Sequence, residues 1–118
     1  MNGQFVELTD GSRIEVKVNF GTLYHLQQIG GYDIMRRVEK KQRKKKRPSE
    51  SECMEFAAKI VYALLRSNGK DVTFDEALSL MPPDMSSINT VIEAYEKEVD
   101  KRKKKQESKQ RMKNFQPK

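Results

Sequence analysis

The chain has one cysteine, one histidine, no tryptophan and four prolines in 118 residues. Each scarcity excludes something. A single cysteine, Cys53, cannot close an internal disulfide, so the disulfide-stapled folds of small secreted chains are ruled out. With His25 the sole histidine, a zinc site would need Cys53 plus carboxylates, and no such ligand spacing is present. No apolar run approaches the roughly 20 residues of a membrane-spanning helix. The opening Met1-Asn2-Gly3-Gln4-Phe5-Val6-Glu7 lacks the basic-then-apolar layout of a secretion signal. The expectation is one domain in a reducing cytoplasm, without a membrane partner.

Reaction chemistry is equally thin. Gly30-Gly31 belongs to no phosphate loop of the Gly-x-x-x-x-Gly-Lys-Ser/Thr kind and reads as a helix stop. Cys53 and His25 make a nucleophile pair in principle, but no nucleophile motif surrounds Cys53, which falls in the first turn of a predicted helix. Both read as half-buried helix residues. Glu93, Glu96, Glu98 and Asp100 offset neighbouring lysines on a solvated helix face and receive no acid–base role. No catalytic, cofactor-binding or metal-ligating residue is assigned, so the expectation is a protein that is not an enzyme and needs no cofactor.

What the chain has in excess is charge. Charged residues make up 35% and hydrophobic ones 36%, with a net charge of +7 and an isoelectric point near 9.5. The surplus sits in two segments, Lys40-Lys41-Gln42-Arg43-Lys44-Lys45-Lys46-Arg47 and Lys101-Arg102-Lys103-Lys104-Lys105. Charges this dense cannot be buried together and must face water or an acidic partner. The basic patch is Lys44, Lys45, Lys46, Arg47, Lys101, Arg102, Lys103, Lys104 and Lys105; it reads as a solvated linker and tail that keep the chain soluble or touch an acidic partner, with phosphate binding as the competing reading. Neither segment contains an aromatic residue, the usual companion of charge in single-strand binders.

Apolar periodicity outside these segments sets the fold. Ile14, Val16, Val18 and Phe20 alternate with Arg13, Glu15, Lys17 and Asn19, and Val6 and Leu8 supply a partner strand, which predicts a hairpin over 4–20. A two-residue Asp10-Gly11 loop would set Val6 against Glu15. A three-residue loop of Thr9, Asp10 and Gly11 sets Val6 against Ile14 and places Gly11 in the left-handed region. Leu23, Leu26 and Ile29 mark a short helix. Asp33 is expected to cap a second segment carrying Ile34, Met35 and Val38, which runs into residues 40–47, where helix and disorder are both open. Ser49 is the expected N-cap of a central helix to Ser67 with Met54, Ala57, Ala58, Val61, Leu64 and Leu65 on its stripe. Asn68-Gly69 ends it. Thr73 and Glu76 form a capping box for a short helix, Pro82-Pro83 turns a corner, and Asp84 caps the last helix.

The fold class is therefore α+β and mainly helical: an N-terminal β-hairpin packed on a small bundle of about four helices. Residues 1–100 form the domain, with 40–48 as a basic segment open to flexibility, and 101–118 form a basic flexible tail.

The order and spacing of these elements carry a resemblance. Phe5-Val6-Glu7-Leu8-Thr9-Asp10-Gly11-Ser12-Arg13-Ile14-Glu15-Val16 is followed by Leu23-Tyr24-His25-Leu26-Gln27-Gln28-Ile29-Gly30. Val61-Tyr62-Ala63-Leu64-Leu65-Arg66 leads into Asn68-Gly69-Lys70-Asp71-Val72-Thr73-Phe74-Asp75-Glu76-Ala77, and Ile88-Asn89-Thr90-Val91-Ile92-Glu93-Ala94-Tyr95 closes the pattern. This resembles the tail assembly chaperones of long-tailed bacteriophages and prophages of Gram-positive hosts. The two basic segments exceed what that family requires. The resemblance implies a non-enzymatic chaperone in the bacterial host cytoplasm, absent from the mature virion. It would bind and solubilise the tape measure protein and hand it to tail tube protein during virion assembly, with self-association as a further expected contact. The client-binding stripe expected on the last helix is Met85, Ile88, Val91, Ile92 and Tyr95. The competing reading is a small basic nucleic-acid-binding or regulatory protein.

Overall fold

Alternation in the N-terminal segment produces the hairpin in the predicted register. The structure is a computed structural model that describes the backbone of residues 4–114 and the side chains of 4–102. Strand β1 (Phe5–Glu7) pairs antiparallel with β2 (Arg13–Glu15), and Val6 stands opposite Ile14. The Leu8 amide donates to the Ser12 carbonyl at 2.8 Å, closing a three-residue loop. Gly11 has φ of +86°, which an L side chain adopts only at a cost. The Asp10 carboxylate accepts from the Ser12 amide at 2.9 Å and hydroxyl at 2.6 Å; these bonds hold its carboxyl below the usual range. The ladder is shorter than 4–20. Asn19 leaves it to cap helix α1 (Phe20–Gln28), because its side chain accepts from the Thr22 amide at 3.0 Å.

Four more helices follow: α2 (Gly31–Arg43), α3 (Glu50–Ser67), α4 (Phe74–Leu80) and α5 (Met85–Asn114). The described residues thus form the expected α+β fold, an N-terminal hairpin packed on a small helical bundle, here of five helices. Gly30 itself occupies the N-cap of α2, and Asp33 lies in the first turn instead of capping it. Gly31 packs where no side chain fits: a Cβ there would lie 2.8 Å from the Leu26 carbonyl oxygen and against the Leu26 side chain. The Ser49–Glu52 and Thr73–Glu76 capping boxes form, and Asp84 accepts from the Ser87 amide at 2.9 Å.

Helix α3 is the hub. Phe56, Ala57, Ile60, Val61, Ala63, Leu64 and Leu65 are buried, and α1, α2, α4 and α5 all pack on it, with β2 against α3 and β1 against α5. The broad stripe explains this, because a helix apolar on most of its circumference is covered on most sides. Val6, Leu8, Ile14 and Val16 join the same core. Phe56 and Tyr95 meet edge to face, centroids 5.9 Å apart, a favoured aromatic geometry.

One expectation is corrected here. Met54, read as part of the core stripe, is 52% exposed, because it lies beside the open edge of α4. Helix α5 carries the basic tail as far as Asn114. No glycine or proline interrupts it, and Lys, Arg, Gln and Glu are good helix formers. Residues 115–118, the end of that tail, lie outside the described residues.

Candidate functional site

An apolar groove opens between α3 and α4. On α3, Met54 and Ala58 stand one turn apart; on α4, Phe74 and Leu78 do the same and face them. Met81, Pro82 and Pro83 close one end, and Ile88 of α5 reaches it from below. The cavity measures about 450 Å³. Leu78 is 44% exposed, which with Met54 leaves two large apolar side chains in solvent at the rim.

The sequence builds this groove by making α4 short and anchoring it at both ends. Thr73 caps its start. At its end, the Thr9 amide donates to the Leu80 carbonyl at 3.0 Å and the Thr9 hydroxyl to the Ser79 carbonyl at 3.1 Å. The hairpin turn thereby fixes the angle of a helix about 70 residues away in sequence. Ala77 is fully buried against the core, and Phe74 meets Tyr62 edge to face at 6.0 Å. The two prolines lack amide donors and turn the chain away before α5 begins.

The expected client-binding stripe does not lie on the surface. Ile88, Val91, Ile92 and Tyr95 are buried in the core, and only Met85 remains half-buried. Burial pushes the Tyr95 hydroxyl above its ordinary range, with Tyr32, Glu39 and Glu96 adding to the effect. These four side chains help hold α5 onto α3, and of them Ile88 also lines the α3–α4 groove. Met54 and Leu78 were read as stripe positions because a solvent-facing apolar position and a core position look alike in a periodic pattern. The legible signal was the width of the α3 stripe, broader than a 7-residue α4 covers.

The first basic segment divides. Lys40 through Arg43 complete α2, and Lys44, Lys45, Lys46 and Arg47 are exposed in the connection to α3. In the second segment Lys101 pairs with Glu98 at 3.1 Å, and Arg102 donates to the Val18 carbonyl at 3.3 Å. The side chains of Lys103, Lys104 and Lys105 lie outside the described residues. The roots of both segments meet at a second groove, between α2 and α5, which Gln42 and Asp100 both line.

His25 and Cys53 are not brought together. His25 borders a shallow hollow with Arg66, at the C-terminal end of α3. Cys53 lies in the first turn of that helix, about 20 Å away along its axis. Burial, then Glu52 and Glu50, raise the Cys53 thiol pKa, the reverse of what activates a thiolate. Among the described residues no three His, Cys, Asp or Glu side chains gather as a metal site, and no helix is long and apolar enough to cross a membrane.

Comparison with protein-family models, with curated proteins and with solved structures finds no match for this chain.

Proposed function

We propose that this chain is a non-enzymatic assembly chaperone of the phage tail type. It binds the tape measure protein and keeps it soluble until tail tube subunits enclose it. The resemblance in element order motivates the class of client. The observation that carries the mechanism is the α3–α4 groove, with Met54 and Leu78 both exposed at its rim. An amphipathic helix lays its apolar stripe into a groove of this kind, with anchors at successive turns. Methionine suits the task, because its unbranched side chain adapts to different partners. On this reading the protein acts in the host cytoplasm and leaves before the virion matures.

The exposed cations of residues 44–47 favour a second reading, contact with nucleic acid through phosphates. Co-expression with a candidate tape measure protein separates the two. On the chaperone reading the wild type keeps that client soluble and Leu78→Asp loses it, while serine at Lys44, Lys45, Lys46 and Arg47 has little effect. Client that stays insoluble with folded wild type, or solubility that survives a folded Leu78→Asp variant, rejects the groove as the client site.

A further inference from the structure

The two basic segments account for more than the whole net charge. Residues 40–47 hold seven of the 24 Lys/Arg and no acid, and residues 101–118 hold nine with one acid, Glu107. The rest of the chain has eight Lys/Arg against 16 Asp/Glu. A net acidic body therefore carries two basic arms, and separated charge of this kind favours pairing between complementary surfaces.

Part of the acid converges on the α2–α5 groove. Its floor is apolar, from Met35, Tyr95 and Val99, and one end is rimmed by Glu39, Glu96 and Asp100. The two ends enclose about 320 and 290 Å³. Burial raises the Glu96 carboxyl, and the like charges of Glu39, Asp100 and Glu93 raise it further. Among the described side chains no cation pairs with Glu39, Glu96 or Asp100. Arg102 lines the other end of the groove and donates to the Val18 carbonyl instead.

The arm on the same molecule cannot fill this site. Helix α5 is unbroken from Met85 to Asn114, so residues 101–114 continue along the axis that bears Glu96 and Asp100. Each turn carries them about 5.4 Å further from the groove. Lys103 and Lys104 follow Asp100 by three and four residues on the same helix, whereas Glu39 lines the groove from α2. A second copy has no such restriction.

We infer that two copies of this chain associate by laying the basic helical extension of one, residues 101–114, in the α2–α5 groove of the other. Its lysines answer Glu39, Glu96 and Asp100, and the apolar floor takes the stems of those lysines. In the pair each extension takes the groove of the other copy, which closes the association on a two-fold axis. It lies apart from the α3–α4 groove and does not depend on the identity of any client.

Sedimentation equilibrium on nuclease-treated, full-length protein tests this across about 50 to about 500 mM salt, a range over which screening of exposed charge becomes strong. The expected result is a two-chain species at low salt that falls to 13.8 kDa at high salt. Two charge-reversed variants follow. One carries Lys103→Glu, Lys104→Glu and Lys105→Glu; the other carries Glu39→Lys and Asp100→Lys. Each alone should be monomeric at low salt with an unchanged circular dichroism spectrum, and an equal mixture should pair again. The extension variant alters no described core residue, so it decides the matter even if the groove variant misfolds. A monomeric wild type at low salt overturns the proposal, as does association indifferent to the extension variant. Association seen only before nuclease treatment also overturns it and assigns the arms to nucleic acid. Two folded variants that fail to pair on mixing do the same. None of these results touches the α3–α4 groove, so the client reading stands or falls separately.

Discussion

Lys41, inside the first basic segment, donates to the carboxylate of Glu52, the same oxygen that accepts from the Ser49 amide at 3.0 Å. One carboxylate thus closes the N-terminal cap of α3 and ties down the last turn of α2. The lysine bond, then the Ser49 amide, lower the Glu52 pKa from 4.5 to about 2. A depressed carboxylate stabilises the folded state above its unfolded pKa, and that contribution is lost as pH falls through the folded one. Acid unfolding should therefore show a stabilising contribution from Glu52 above about pH 5 that declines between 4.5 and about 2. Glu52→Gln should be less stable than wild type at neutral pH, and the two should converge at the acid end. Curves that run parallel throughout would contradict the assignment.

Leu64 is fully buried on α3, at the centre of the packing. Leu64→Ala should cost about 2–5 kcal/mol, the transfer term plus a residual cavity. Urea denaturation measures it, and a loss under about 1 kcal/mol would mean that α3 is not the hub.

Gly31 has no room for a side chain beside Leu26. Gly31→Ala should destabilise the fold by about 1–3 kcal/mol through overpacking at the α1–α2 junction, although alanine is the better helix former. A thermal midpoint at or above that of wild type would show that the junction yields freely.

Two helices end in the same motif with different residues. After α3, Gly69 takes φ of +85° and the Lys70 amide donates to the Leu65 carbonyl at 2.9 Å. After α2, Lys45 takes φ of +58° and the Lys46 amide donates to the Lys41 carbonyl at 2.8 Å. Only the second carries the steric penalty of a side chain in this region. Lys45→Gly should raise stability by about 0.5–1 kcal/mol, the relieved strain outweighing the added freedom of the unfolded chain. A lowered thermal midpoint would show that Lys45 holds this conformation through a favourable contact.

Serine at Lys44, Lys45, Lys46 and Arg47 should leave the fold intact, since all four side chains are exposed. Under the chaperone reading client solubility persists. Under the nucleic-acid reading affinity drops and its salt dependence flattens, because each lost cation removes a phosphate contact. Soluble client lost while the variant stays folded would make charge part of client recognition.

The sequence by itself determined the local structure. Alternation fixed the Val6–Ile14 register, because shifting by one residue turns charge into the core. Ser49, Thr73, Asp84, Gly11 and Gly69 marked caps and turns, because each acts through its own backbone or that of a residue a few positions away. The stop at Lys45 was not legible, since the motif there is made without glycine. Tertiary structure decided which apolar faces stay open. Met54 and Val61 look alike in a helical repeat, yet one rims a groove and the other is fully buried. The difference depends on where α4 lies, and a hydrogen bond from Thr9 to the end of α4 fixes that position. Likewise, Glu39 and Glu96 are unremarkable on their own helices and become one acidic rim only because α2 and α5 both pack on α3. Periodicity reports that a side chain needs cover; the contacts between elements distant in sequence decide whether it receives any.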